Sequence, residues 1–220
     1  MTKNQSNFIK LIAIISMALD HIGLILFPEY HIFRIIGRIA FPLFAFQIGI
    51  GYLYTRNYKK YLSRIFLYGL VIQVAFSIAS DFAGLNEDIW YLNIFFTLGL
   101  GLMAINFYDH KKYAYLFLTI LVPPILQSFG VTVDYMWYGV VLILVLFIGR
   151  DKPIYMVPII AVITFIFSKF DLHSYTQMYC LLSFIFLIKP LNFKINIPSY
   201  VFYLFYPIHL VVLQGLSLII

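Results

Sequence analysis

The sequence predicts an all-α protein, a polytopic transmembrane bundle of about nine helices with a cytoplasmic N-terminus, and three observations carry that prediction. First, 63% of the 220 residues are hydrophobic and only 11% are charged, with a mean hydropathy of +0.93. A soluble domain carries about 25% charged residues. So little charge cannot solvate a globular surface, and lipid is therefore the solvent for most of the chain. Second, apolar stretches recur from one end to the other with only brief polar separators. Third, the basic residues concentrate on alternate separators. No polar linker or tail intervenes, so residues 1–220 read as a single integral membrane domain.

The first apolar run extends from Phe8 to Phe27, after the polar start MTKNQSNFIK. It lacks a small-x-small cleavage site, and polar, charged and helix-breaking residues follow it directly. It reads as an uncleaved first transmembrane helix. The second run, 32–54, carries Arg34 and Arg38 with Gly37 between them and Pro42 one turn later. Further runs lie at approximately 62–80, 90–107, 113–129, 135–149, 153–168, 174–189 and 198–219. The separators, such as DFAGLNED at Asp81 to Asp88, DHKK at Asp109 to Lys112 and Arg150-Asp151-Lys152, have the length of helix–helix connections.

Loop charge sets the orientation. With the N-terminus inside, the cytoplasmic segments hold Lys3, Lys10, Arg56, Lys59, Lys60, Arg64, Lys111, Lys112, Arg150, Lys152, Lys189 and Lys194. The external loops hold Lys169 with Glu29, Asp81, Glu87, Asp88, Asp134 and Asp171. This alternation follows the positive-inside rule and predicts N-in and C-out. It also accounts for the net charge of +6, so no nucleic-acid partner is expected. Tyr30, Trp90, Tyr91, Trp137 and Tyr138 are expected at the external interface, where amphipathic rings prefer to sit. The expected location is a bacterial cell membrane, spanned several times.

Polar residues inside this apolar frame are the candidates for function. An ionisable residue within a spanning helix costs roughly 2.5–3.5 kcal/mol on insertion scales, and the first helix holds two in succession, Asp20 and His21. Lys10 and His21 are eleven residues apart, three turns plus about 20°, so they share a face about 16 Å apart along the axis. Asp20 is rotated about 100° from His21 and faces a neighbouring helix. Arg34 and Arg38 stand at i and i+4 on the next helix. Arginine does not shed its proton, so each demands a counter-charge, and Asp20 on the same outward half supplies one. Two arginines against one aspartate leave a positive surplus suited to a thioester oxyanion, a phosphate or a carboxylate. The last helix adds a second polar cluster of Tyr203, Tyr206 and His209, with Pro207 freeing a backbone carbonyl one turn earlier. Gln47, Tyr52, Gln73 and Asn93 are ordinary candidates for polar contacts between helices.

Several signatures are missing. There is no G-x-x-x-x-G-K-[ST] phosphate loop, and Gly49/Gly51 and Gly99/Gly101 lack the setting of a dinucleotide loop. The five histidines show no HExxH-like spacing, and the single cysteine, Cys180, excludes a thiolate-rich metal site, so no metal is expected. A serine nucleophile elbow is absent as well.

With those residues assembled, the chain resembles the TraX family, whose founding member is the conjugative F-pilin N-acetylase. The resemblance rests on IKLIAIISMALDHIGLILFP (Ile9 to Pro28), FRIIGRIAFPLFAFQIGIGYLYTRNYKKYLSRI (Phe33 to Ile65), LNIFFTLGLG (Leu92 to Gly101) and YLFYPIHLVVL (Tyr203 to Leu213). The Lys10-x10-His21 spacing is also similar to the basic-x10-His element of integral-membrane acyltransferases of the acyltransferase-3 type. Ser199-Tyr200 with Tyr203 and His209 resembles their closing segment, with Tyr-Pro-Ile inserted before the histidine.

These resemblances imply a membrane acetyltransferase that takes acetyl-CoA from the cytoplasm and acylates a peptide, pilin-like or cell-surface glycan acceptor. They imply His21 as catalytic base or transient acyl carrier, with Asp20 beside it, and Lys10, Arg34 and Arg38 as contacts to the donor. Two other readings use the same residues: a small-molecule or proton-coupled transporter, and a non-catalytic membrane component of a conjugation or secretion apparatus. The acceptor, the oligomeric state and the helix count between residues 105 and 190 are not fixed by the sequence.

Overall fold

A computed structural model describes residues 1–83, 90–194 and 198–217, apart from the side chains of 76, 78–83, 199, 200, 202 and 203. The acidic Asp81 side chain, Glu87 and Asp88 of the expected external loop lie outside the described residues. The fold is an all-α helical bundle with almost no strand, and each of the expected apolar runs coincides with a helical element. These are α1 (Lys3–Ile25), α2 (His31–Gly37) with α3 (Ala40–Tyr54), α4 (Tyr58–Ala83), α5 (Ile94–Asp109), α6 (Tyr113–Ser128) and α7 (Met136–Ile148). A short 3-10 turn, Pro153–Met156, leads into α8 (Val157–Phe170). A longer 3-10 helix, Tyr175–Ser183, continues as α9 (Phe184–Ile188), and α10 (Ser199–Ser217) closes the described chain. Lys3–Ile25, His31–Tyr54 and Pro153–Phe170 are long and apolar enough to cross a membrane, and the other apolar helices are shorter. The chain is a helical membrane protein.

The described chain divides into two compact units, Met1–Gln47 with Asp151–Ile220, and Ile48–Arg150. In the first, α1 begins on a capping box in which the Thr2 hydroxyl accepts from the Gln5 amide at 3.2 Å and the Gln5 side chain accepts from the Thr2 amide at 2.8 Å. α1 packs on α2 and on α10, and α8 packs on the 3-10 helix Tyr175–Ser183. The second apolar run is broken at Arg38–Ile39, between α2 and α3. Pro42 explains the break: it has no N–H to offer the Arg38 carbonyl, and its ring crowds that carbonyl. Two glycines let α1 and α2 approach closely. A Cβ on Gly23 would stand 2.4 Å from the Phe33 Cβ, and one on Gly37 would stand 2.1 Å from Asp20 Oδ1.

In the second unit α5 packs against α4, α6 and α7. Glycines again set the approach: a Cβ on Gly101 would lie 2.3 Å from Ile143 Cδ1, and one on Gly99 would lie 2.7 Å from the Phe66 ring. The glycine pairs are thus packing surfaces between helices. A short parallel pairing of β1 (Tyr91–Leu92) with β2 (Thr132–Val133) precedes α5 and α7. Asn93 caps α5 through its Oδ1 on the Phe95 amide at 3.1 Å and binds Gln73 Oε1 through its Nδ2 at 2.9 Å. Trp90 and Tyr91 are exposed, as expected of interfacial rings, but Tyr138 is fully buried. Tyr138 follows the short turn that starts α7 and points into the unit, which the interfacial expectation missed.

Substituting Gly101→Ala forces the Cβ into Ile143, whose own Cβ is 2.9 Å away, and should cost about 1–3 kcal/mol as an overpacked core does. Gly215→Ala meets nothing within 4 Å, and should be neutral or stabilising by up to about 1 kcal/mol. Thermal midpoints of the two variants in detergent check this; equal midpoints would remove the packing role of Gly101.

Candidate functional site

The site lies in the first unit, and its geometry starts with a carboxylate between two guanidiniums. Asp20 is on the penultimate turn of α1, Arg34 on α2, and Arg38 is the residue that caps α2. Arg38 Nη2 donates to both Asp20 oxygens at 2.7 Å. Arg34 Nη1 lies 2.8 Å from Asp20 Oδ2 and 3.3 Å from the Asp20 carbonyl oxygen. The side chains of Asp20 and Arg38 are 14% and 13% exposed, and that of Arg34 is 27% exposed. The ion pair demanded by the charge argument is therefore present, with both arginines on the one carboxylate.

Arg38 makes a further contact that the sequence did not suggest. Its Nη1 donates to Gln177 Oε1 at 3.2 Å, reaching the 3-10 helix Tyr175–Ser183. Gln177 is 1% exposed. Arginine has no acceptor, so the atom facing it must be the amide oxygen, and the Gln177 Nε2 is turned the other way. A lone glutamine in the run 174–189 was the available signal; with the partner 139 residues away, nothing in the sequence paired the two.

The histidines form the second half of the site. His21 Nδ1 and His209 Nε2 are 3.0 Å apart, and His209 Nδ1 donates to the Phe205 carbonyl at 2.7 Å. That second bond fixes the tautomer of a neutral His209: its Nε2 is an acceptor, and His21 Nδ1 must donate to it. The nitrogen of His21 left with a lone pair is therefore Nε2. Tyr206 stands edge-on to both rings, with centroids 6.5 Å from His21 and 5.7 Å from His209, and Phe205 stacks on His209 at 4.7 Å. The two polar clusters read separately from the sequence are thus one cluster at the α1–α10 contact. Tyr203 lies in α10 with its side chain outside the described residues.

The expected roles of the residues separate in space. The Asp20 carboxylate is held by the arginines, and the His21 ring is held by the Met17 backbone and by His209. Lys10 sits three turns earlier on α1, half-buried. Gln47 and Tyr52 belong elsewhere, Gln47 accepting from Ser6 Oγ at 2.8 Å and Tyr52 donating to Asp109 at 2.9 Å. Among the described residues no group of three or more His, Cys, Asp or Glu side chains is placed to hold a metal ion.

A carboxylate clamped by two arginines beside a histidine pair supplies an oriented base and a fixed excess of positive charge. Such a pair of features suits group transfer from a donor that develops negative charge.

Comparison with known proteins gives a consistent frame. A family model described as TraX protein matches residues 5–217. An uncharacterised protein of Rickettsia prowazekii (strain Madrid E) is 36% identical over 108 residues, 49% of this chain and 39% of the relative. A probable fimbrial assembly protein FimC, serogroup H1, of Dichelobacter nodosus is 36% identical over 106 residues, 44% of this chain and 43% of the relative. The matched region therefore spans less than half the length of either relative. No solved structure matches the chain.

Removing the carboxylate should expose the cost of the clamp. Asp20→Ala leaves two largely buried guanidiniums without their counter-charge and is expected to cost about 3–5 kcal/mol. Combining it with Arg34→Met and Arg38→Met should recover most of that loss, because no buried charge is left uncompensated. Detergent-solubilised melting of the single and triple variants tests this, and a triple variant no better than Asp20→Ala would refute the charge-compensation account.

Proposed function

The chain belongs to the TraX family, and from that premise we propose a membrane-embedded acetyltransferase that serves the assembly or modification of a pilus or another surface structure. Acetyl-CoA from the cytoplasm is the donor, and a peptide, pilin-like or cell-surface acceptor receives the acetyl group. The observation that carries the reading is the buried conjunction of the Asp20–Arg34–Arg38 clamp with the His21–His209 pair. The printed description of the Dichelobacter relative as a fimbrial assembly protein supports the cellular context. The distant likeness of Lys10-x10-His21 to the acyltransferase-3 type points to the same chemistry.

The proposed reaction runs as follows. His21 Nε2 accepts the proton of an acceptor amine or hydroxyl as its nitrogen or oxygen attacks the thioester carbonyl carbon. The carbonyl oxygen becomes negative, and the surplus positive charge of Arg34 and Arg38 offsets it. The C–S bond breaks, the new C–N or C–O bond remains, and the proton on His21 passes to the departing thiolate. His209 keeps His21 in the tautomer with Nε2 unprotonated and shares the positive charge when His21 takes up the proton. Lys10, about three turns towards the cytoplasmic end, contacts the donor's phosphates. The orientation with the N-terminus inside places Lys10 at the mouth and His21 in the outward half, in a bacterial cytoplasmic membrane crossed several times.

Membranes incubated with labelled acetyl-CoA test the reading. Wild type should label an acceptor; His21→Ala should abolish transfer while inserting normally. His209→Ala should lower kcat by about 10²–10⁴-fold with little change in KM. Acetylation undiminished in His21→Ala would be fatal to the assigned role. Substrate flux in proteoliposomes without acetyl-CoA would favour a transporter instead.

A further inference from the structure

The seven lysines and arginines of Ile48–Arg150 all sit at one end of that unit, where α3, α5 and α7 finish and α4 and α6 begin. Tyr52 gathers that end. Its hydroxyl donates to Asp109 of α5 at 2.9 Å, and its ring lies edge-on to Tyr58 of α4 at 6.2 Å and to Phe147 of α7 at 5.6 Å. Tyr115 of α6 stacks on Phe107 of α5 at 5.5 Å. Tyr61 presses on α3 as well, since a Cβ on Gly51 would stand 2.6 Å from its hydroxyl. The short connections that carry the charges are thereby held side by side.

Six of the seven, Arg56, Lys59, Lys60, Arg64, Lys111 and Lys112, are exposed. Arg150 is half-buried: its guanidinium carbon lies 4.5 Å over the Phe147 ring, and its Nη1 donates to the Phe147 carbonyl at 2.9 Å. Arg64 Nε donates to the Lys60 carbonyl at 3.2 Å, which draws the guanidinium back towards the start of α4 and its lysines. The carboxylate at this end, Asp109, already accepts from Tyr52. Among the described residues none of the six exposed cations forms an ion pair. Like charges held on fixed helix ends repel one another, and only anions from outside the chain relieve that cost.

The aromatic residues around these cations say which anions those are. Tyr54, Tyr113 and Tyr115 border the same connections and are 75%, 59% and 58% exposed. Exposed tyrosines of a membrane protein settle at the level of the lipid headgroups, apolar ring inward and hydroxyl outward. Cations beside them stand at the depth of the lipid phosphates. We infer that this face is a binding surface for anionic phospholipid headgroups, whose phosphates supply the counter-charge that the unit lacks. In the orientation that the loop charges predict, the lipid belongs to the inner leaflet, where basic groups gain most from anionic headgroups. Dissolved phosphate has the same chemistry, but the flanking tyrosines hold the face at the bilayer. The inference concerns Ile48–Arg150 and does not depend on acetyl transfer.

The test uses the full-length protein in an uncharged detergent, melted with added phosphatidylglycerol, phosphatidylcholine or inorganic phosphate. Phosphatidylglycerol should raise the wild-type midpoint more than phosphatidylcholine does, and the difference should shrink as salt is raised. One variant combines Arg56→Gln, Lys59→Gln, Lys60→Gln and Arg64→Gln. A control of equal charge combines Lys3→Gln, Lys152→Gln, Lys189→Gln and Lys194→Gln, all exposed positions of the other unit. Phosphatidylglycerol affinity should fall by about fivefold for each cation removed from the face and stay near wild type in the control. Lys111→Gln with Lys112→Gln, on an exposed connection, should show the same loss on a smaller scale, which decides the matter even if the fourfold variant does not insert. A wild type that answers both lipids equally would overturn the inference. So would a control weakened as much as the face variant, since net charge and not this surface would then be at work. An equal shift with inorganic phosphate at the same phosphate concentration would make this a site for dissolved anions and overturn the lipid assignment.

Discussion

The Asp20 carboxylate, held at 2.7–2.8 Å by Arg38 and Arg34, is the contact on which the site depends. In a medium without water each of these charges is costly alone, and their attraction returns that cost only when the geometry is close and the donors are used. The backbone is shaped to allow it. Gly37 stands against the Asp20 side chain where any Cβ would collide, and the chain breaks at Arg38–Ile39, where Pro42 denies the Arg38 carbonyl its helical donor. The same residue that suffers the break supplies the guanidinium that grips both carboxylate oxygens.

Pinning Asp20 also fixes the rotation of α1. Adjacent residues on an α-helix point about 100° apart, so turning Asp20 towards α2 turns His21 away from it and towards α10. His209 is there to receive it at 3.0 Å. The ion pair and the histidine pair are thus two consequences of one helix orientation. That explains why the adjacent Asp-His dipeptide does not act as a carboxylate–imidazole couple. Its two side chains face different helices, and each finds its partner there. The net charge left by one carboxylate and two guanidiniums is positive, which a chemistry that generates an anion can use.

The sequence disclosed the parts of this site that local charge and spacing control. Arg34 and Arg38 require a counter-charge, and Asp20 stands at a matching depth on the preceding helix, so their pairing is legible in the sequence. The apolar runs were legible for the same reason: polar, charged or turn-forming residues bound them. The contact between His21 and His209 was not, because it joins residues 188 positions apart and depends on which helices meet. Tyr138 was misread because an aromatic near a helix start suits an interface as well as a core, and only packing decides. Gln177 was overlooked because an isolated glutamine in an apolar segment usually signifies helix–helix bonding.

The distribution of polar groups between the two units follows the same economy. In Ile48–Arg150 the polar side chains that are described in contact close on one another or on the backbone: Tyr52 on Asp109, Gln73 on Asn93, Tyr91 on Asp134, and the Thr97 hydroxyl on the Asp134 carbonyl. Such closure stabilises helix contacts. In the other unit Ser6 closes on Gln47 in the same way, but around Asp20 and His209 the bonding runs in one direction. Asp20 orients Arg38, Arg38 orients Gln177, and Phe205 orients His209, which orients His21. Each chain begins at a group fixed by a helix and ends at a nitrogen, Gln177 Nε2 or His21 Nε2, whose direction has been chosen by the groups behind it. A structural network has no need of such polarity, since its bonds serve equally well in either direction. The proposed acetyl transfer would use it, because the final atom must face the reacting group before that group arrives.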